Sequence, residues 1–421
     1  MPVTNGRRSG LKRYLARLPL TDRITFSREL WSGTFYGIFT GTALPLVTIM
    51  ARRIGMSTGA ITLMVTMQFI GALFGVILGH AAARRAKMPF VVWPSVAARG
   101  LIGLLAFART PVPFLVIACA FNLLMNLGGP AYASIMRTNY SNANRGRLMG
   151  NIRILITMVS ALCSSAAGFM LVRNEDLVRW LFLVAAVFGV LSSLTFGTIK
   201  VRREPELAPQ PSGRPAGSGL RVLGANRPLL MFLGLLFLCA MPDKLAVPLE
   251  PIWMVDVLHI GYGEASFFLG SIASAASVAG YFFWARALKR VNSLVLLSLV
   301  SLVFAGRFAA MALVHSSSQL LAMSIFSGLA NAGWDLVPLF CMIALSDDSS
   351  FSLAIGLHWT LFGIRGLAGP SIGTSLYSSG TLSLNGIFWL IAGLLAFGSV
   401  MMLVFARRTF PRAPWMRLGR L

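Results

Sequence analysis

The sequence predicts an all-α polytopic membrane protein, with about twelve transmembrane helices in two pseudo-symmetric six-helix halves. Three observations predict it. Of the 421 residues, 56% are hydrophobic and only 12% charged, about half the charged share of soluble domains, and the mean hydropathy is +0.74. Apolar runs of roughly 20 residues recur along the chain, each long enough to cross a ~30 Å hydrocarbon core. No water satisfies backbone groups there, so such runs are helical. Finally, one motif occurs twice. Phe121 to Gly129 reads FNLLMNLGG and Phe326 to Trp334 reads FSGLANAGW, both spelling F-x-x-L-x-N-x-G. A duplicated polar helix within apolar surroundings marks a transporter assembled from two halves.

The elements follow in order. Residues 1–30 are basic, with Arg7, Arg8, Lys12, Arg13, Arg17, Arg23 and Arg28, and have no apolar core of the kind a cleavable signal needs. Helices are expected at 31–50, 60–82, 89–108, 113–135, 148–172 and 178–199 for the first half, 31–199. The second half, 228–406, holds helices at 228–249, 265–285, 293–313, 319–345, 351–377 and 384–406. Between them, 200–227 is rich in Pro, Gly, Ser and charge and reads as a cytoplasmic linker; 407–421 is a basic, proline-broken tail. With this layout roughly 27 of the 37 Lys and Arg lie in cytoplasmic segments. Both termini are therefore expected in the cytoplasm of a bacterial inner membrane, with Arg52-Arg53 as the main exception. Further matches in the same order support duplication: Gly79 with Arg85-Ala86 against Gly280 with Arg286-Ala287, and Pro45-Leu46 against Pro248-Leu249.

Composition also excludes. The net charge of +24 sits between apolar runs and at the termini, which argues against nucleic acid and for the lipid bilayer as partner. The four cysteines are single and the four histidines separated, so neither a disulfide framework nor a metal site is indicated. No P-loop, G-x-S-x-G elbow or H-E-x-x-H occurs, so no cofactor and no enzymatic chemistry are expected. The expected assembly is a monomer.

Twelve spans divided 6+6, a basic central linker and a basic loop after the second helix resemble the major facilitator superfamily over nearly the whole chain. The family's loop motif is G-x-x-x-D-R-x-G-R-R; here the stretch reads GHAAARRAKM. Gly79, Arg84 and Lys87 match, with Arg85 beside them, while Ala83 replaces the aspartate and Ala86 the second glycine. In the family that aspartate helps hold the cytoplasmic gate, so the gate of this chain must be held differently or more weakly. The resemblance implies alternating access around a cavity lined by helices 1, 4, 7 and 10.

Several residues are candidates for a substrate or ion pathway. Ser327, Asn331 and Asp335 are spaced by four and form one stripe on helix ten; the matching positions on helix four are Asn122, Asn126 and Pro130. A carboxylate within the bilayer costs roughly 2.5–3.5 kcal/mol unless paired or hydrated, so Asp335 is either a substrate or proton group or a fixed partner of Arg365. Asp243-Lys244 lies between Pro242 and Pro248, so the helix is kinked and lines a site, or ends early and leaves the pair at the outer interface. Arg365 is the most central of the intramembrane arginines Arg99, Arg153, Arg307 and Arg365. The reading is a secondary active transporter of a small polar or amphipathic solute or ion, proton-coupled through Asp335 or Asp243. The alternative is a non-transporting assembly scaffold or a lipid transporter.

Overall fold

The computed structural model describes residues 18–82, 86–201, 224, 226–314, 316, 319–346 and 348–409. Among these residues the chain is helical throughout, without strands. The first half contains α1 (Leu20–Arg53), α2 (Thr58–Ala82), α3 (Lys87–Leu104), α4 (Pro111–Met125 and, after a break, Gly129–Asn139), α5 (Asn142–Arg173) and α6 (Val178–Gly197). The second contains α7 (Arg227–Val257), α8 (Tyr262–Ala287), α9 (Ser293–Leu313), α10 (Leu320–Leu345), α11 (Asp348–Ser378) and α12 (Leu384–Thr409). By length and composition, eight of these are apolar enough to cross a bilayer over their described residues.

Duplication is visible in the packing. In the first half α1 packs on α5 and α6, α2 on α4, and α3 on α4 and α6. In the second half α7 packs on α11 and α12, α8 on α10, and α9 on α10 and α12. Adding six to each label of the first set reproduces the second. The halves meet through α2 with α11 and α5 with α8, two contacts that the same operation exchanges.

Three boundaries differ from expectation, each for a local reason. Helix α1 begins at Leu20 rather than near residue 31, because its polar first turns are buried against other helices. Asp22 accepts hydrogen bonds from the Ser141 N–H (3.0 Å), Ser141 Oγ (2.7 Å) and Asn144 Nδ2 (2.8 Å), placing a carboxylate at the positive end of the α5 dipole. Helix α4 breaks over Asn126 to Gly128, because Pro130 has no N–H to offer the Asn126 carbonyl. Helix α10 carries Asp335 at the equivalent place and runs unbroken through it. Helix α7 bends at Val247-Pro248, then continues through a π-helical turn at Trp253–Val257 instead of ending near residue 249.

The α5/α8 crossing is close because small residues line it. Ser164 Oγ donates to the Ser266 carbonyl (2.7 Å), Ser266 Oγ returns a bond to the Ser164 carbonyl (2.9 Å), and Ser165 Oγ donates to Ser271 Oγ (2.9 Å). At Gly263 a Cβ would stand 2.5 Å from Val172 Cγ2 and 3.0 Å from the Gly168 carbonyl oxygen. The second crossing uses α11: Gly363 and Gly366 abut Leu73 and Phe69 of α2, and Gly369 and Gly373 abut Lys244 and Leu245 of α7. Without side chains at those four positions, α11 lies between its neighbours at backbone range.

Candidate functional site

One face of the bundle carries the starts of α1 and α7 and the ends of α6 and α12; here it is called the terminal face, and its opposite the far face. At the far face the halves are joined by charge. Arg52 at the end of α1 pairs with Asp256 of α7 and donates Nη1 to the Met56 carbonyl (2.9 Å). Arg53 Nη1 pairs with Glu175 Oε2 (2.7 Å), and its guanidinium lies 4.3 Å from the centre of the Tyr262 ring of α8. The exceptional Arg52-Arg53 pair of the sequence thus binds acids of both halves.

Midway along the second half lies a buried charged cluster. Asp243 is near the middle of the 31-residue α7, since the helix continues past the Pro248 bend instead of ending. That bend leaves the Lys244 carbonyl without the N–H that Pro248 lacks. Lys244 Nζ donates to Asp243 Oδ2 (2.5 Å) and lies 5.9 Å and 5.7 Å from the ring centres of Phe69 on α2 and Phe362 on α11. Arg307 of α9 gathers the rest. Its Nη1 is 3.7 Å from Asp243 Oδ1, its Nη2 donates to Glu250 Oε2 (2.7 Å), and its Nε donates to Ser327 Oγ (2.7 Å).

Arg365 completes the cluster without being tied into it. It is only 1% exposed, with Phe362 and Trp334 rings 5.2 and 5.9 Å from its guanidinium carbon, and it interacts electrostatically with Asp243. Its Nε and Nη2 have no hydrogen-bond partner among the described residues. The cluster therefore holds three cations (Lys244, Arg307, Arg365) against two carboxylates (Asp243, Glu250). Buried charge without a partner is costly, so the arrangement favours an arriving anionic or acceptor group.

Of the two readings of Asp335, a substrate or proton group or a fixed partner of Arg365, the second is not what the structure holds. Asp335 does not bridge to Arg365; its Oδ2 is 3.3 Å from Arg153 Nη2 of α5 and accepts from Tyr281 Oη of α8 (2.6 Å). This is an ion pair between halves, on the terminal-face side of α10. Of the stripe, Ser327 is buried against Arg307, while Asn331 and Asp335 are exposed. Asn122 donates to the Ala118 carbonyl of its own helix (2.9 Å), and Asn126 ends the first segment of α4. In the loop motif, Gly79 lies in the last turns of α2, Arg84 and Arg85 lie outside the described residues, and the buried Lys87 donates to Ser134 Oγ of α4 (2.9 Å).

Sequence reasoning passed over a second polar centre, in the first half. Glu29 of α1 is 3% exposed and accepts hydrogen bonds from Tyr132 Oη (2.8 Å) and Tyr140 Oη. It lines a cavity of about 220 Å³ with Tyr36, Arg99, Tyr132, Arg153 and Ser192. Arg99 is committed elsewhere, donating to the Gly189 carbonyl (3.2 Å) and Ser192 Oγ (2.9 Å) and lying over the Tyr36 ring at 4.6 Å. The signal for Glu29 was Pro19 followed by an acidic first turn, a helix start hidden by the surrounding basic residues. Glu250 lies just past the expected end of α7, and only the continuation of that helix beyond Pro248 brings the carboxylate to Arg307.

The sequence pattern of the Major Facilitator Superfamily matches residues 30–242, half of the chain. The chain is a member of the Major Facilitator Superfamily. Solved structures agree on the superfamily fold. An auto-inhibited POT family peptide transporter matches with a TM-score of 0.70 at 12% identity, covering 96% of this chain and 99% of its own. The nucleoside transporter NupG, in a mutant form, matches with 0.68 at 14% identity, covering 91% and 99%. A bacterial homolog of the human lysosomal transporter Spinster, inward-facing and unoccupied, matches with 0.59 at 14% identity, covering 92% and 95%. No curated protein matches in sequence. Superfamily membership makes this multi-pass membrane protein a transporter; at such identities the neighbours share the fold alone.

Proposed function

We propose that the protein is a secondary active transporter that moves a small polar or amphipathic solute by alternating access and draws on a proton gradient. The observation that carries this reading is the buried cluster of Asp243, Lys244, Arg307, Glu250 and Arg365, halfway along α7 and beside the α2/α11 contact. Charges at that depth are rare and mark substrate and ion pathways. In this reading Lys244 and Arg365 meet the solute, Phe69, Phe362 and Trp334 supply its apolar contacts, and Ser327, Asn331 and Asn126 line its path. The neighbours named for nucleosides and peptides show the fold serving unlike solutes, so fold likeness does not select one.

Alternating access is supported by where the halves are joined. Ion pairs join them at the far face (Arg52 with Asp256) and near the terminal face (Arg153 with Asp335), while serines and glycines occupy the crossing between. With Ala83 in place of the family's aspartate, the Arg153–Asp335 pair takes the role of the terminal-face gate. The distribution of basic residues supports a cytoplasmic terminal face in a bacterial inner membrane.

The test is reconstitution in proteoliposomes with an imposed pH gradient and a panel of radiolabelled nucleosides, peptides, sugars and organic acids. Gradient-driven accumulation of one class, abolished in Arg365→Met and in Lys244→Met, is the expected result. Wild-type phenotype retained when Asn126, Asn331 and Asp335 are all made apolar would sink the transporter reading in favour of a scaffold.

A further inference from the structure

We infer that the coupling proton binds Glu29, and that Arg153 reads the charge of Glu29 by dividing itself between Glu29 and, across the halves, Asp335. The inference rests on the proton-coupled reading above, but moves the proton site to the first half.

The partners of the carboxylates distinguish them. Asp243 and Glu250 are tied to Lys244 and Arg307, and Asp335 to Arg153. A cation beside a carboxylate favours its charged form, which makes these paired acids poorer proton carriers than an acid without one. Among the described residues Glu29 has no ion-pair partner; its two hydrogen bonds come from tyrosine hydroxyls. A tyrosine hydroxyl both donates and accepts. Tyr132 and Tyr140 can donate to the ionised carboxylate, and after a proton adds to a carboxylate oxygen the new O–H can be accepted by one of those hydroxyls or by cavity water. An arginine or lysine partner serves only the charged form.

The setting supplies access and a readout. Glu29 borders the cavity of about 220 Å³, large enough for several waters. The groups facing it are Tyr36 on its own helix, Arg99 from α3, Tyr132 and Tyr140 from α4 and its end, and Arg153 from α5; α6 contributes only the hydroxyls of Ser192 and Ser193. Asp22 lies near enough to act electrostatically on Tyr140. Arg99 is held by α6, which leaves Arg153 as the mobile cation. Arg153 lines the same cavity, acts electrostatically on Tyr132, and ends 3.3 Å from Asp335. With Glu29 protonated, Arg153 has one carboxylate to pair with, and α5 and α10 are drawn together. With Glu29 ionised, a swing of Arg153 across the shared cavity toward it weakens the inter-half pair, and the terminal face opens.

The test needs no substrate, so its outcome is independent of the transport assay. The whole chain, with its four native cysteines replaced by alanine and Ile152→Cys, buried beside Arg153, added, is placed in liposomes and alkylated with a maleimide across a pH series, each rate being divided by that of a free thiol at the same pH. The expected normalised rate rises with pH by at least about fivefold, the lower end of ordinary coupling between sites; Glu29→Gln gives a low normalised rate that does not change with pH. Glu29→Asp keeps a carboxyl one methylene further from its tyrosines and keeps the response with a displaced midpoint, which serves if the glutamine variant fails to fold. Infrared titration supplies a second reading: a protonated-carboxyl band present in the parent and missing in Glu29→Gln. A Glu29→Gln protein with the parent's pH response, a Glu29→Asp protein with an undisplaced midpoint, or an unchanged carboxyl band overturns the inference.

Discussion

Arg307 and Glu250 meet at 2.7 Å, one from α9 and one from just beyond the Pro248 bend of α7, and the same guanidinium also reaches Asp243 and Ser327. Their side chains are only 11% and 20% exposed, so this pair is largely shielded from solvent. Removing one partner of such a pair strands the other. Arg307→Met is expected to destabilise the protein by about 3–5 kcal/mol, read as a fall in the unfolding temperature in detergent. Adding Glu250→Gln to Arg307→Met returns much of the loss. A double variant no more stable than the single one contradicts this account.

Arg365 is predicted to behave in the opposite way. It is fully buried with two nitrogens unpartnered among the described residues, so an apolar side chain of similar volume removes a cost instead of a contact. Arg365→Met should leave stability unchanged or raise it by about 1–4 kcal/mol, while abolishing accumulation in proteoliposomes. Loss of both stability and transport would make Arg365 a structural residue.

The far-face pair Arg52–Asp256 is partly solvated, with side chains 24% and 34% exposed. Such pairs contribute at most about 1 kcal/mol, so Arg52→Asp should barely move the unfolding temperature. Its effect is on opening: a cysteine placed at Met56, buried in this structure, should react faster with a membrane-impermeant maleimide in Arg52→Asp. The swap Arg52→Asp with Asp256→Arg should restore slow labelling. Equal rates in all three proteins would show that the pair does not hold this face.

At the α5/α8 crossing, Gly263→Val is expected to force the helices apart, because its Cβ would meet Val172 and the Gly168 carbonyl. Overpacking of this kind costs about 1–3 kcal/mol. Gly234 in α7 has open space around it, so Gly234→Ala should instead stabilise by about 0.5–1 kcal/mol through helix propensity. Thermal unfolding of both variants measures the contrast, and a neutral Gly263→Val would refute the close approach.

The architecture was legible because it is written in features that do not depend on tertiary contact. Apolar length gives the spans, and the F-x-x-L-x-N-x-G repeat gives the equivalence of α4 and α10 that the packing pairs reproduce. The candidate site was legible only where a charge stood out against apolar neighbours, as Asp243, Lys244, Arg365 and Asp335 do. Glu29 was masked by the nearby Arg23 and Arg28, since hydropathy averages over a window and cannot see that a helix face turns a charge inward. Which acid meets which base was also not readable. Asp335 is paired by Arg153 from the other half of the chain, and no local pattern encodes a meeting of that range.

The serines of the α5/α8 crossing and the ion pairs of the far face respond differently to the medium. A hydroxyl bonded to a carbonyl in a buried crossing is indifferent to dissolved salt, whereas partly solvated charges are screened over about 8 Å at physiological ionic strength. The crossing is thus insulated from salt and the far-face pair is not. In the alternating-access reading proposed above, salt loosens the far-face pair and the still more exposed Arg153–Asp335 pair alike and leaves the crossing untouched, so ionic strength sets how readily the halves part and not where they meet.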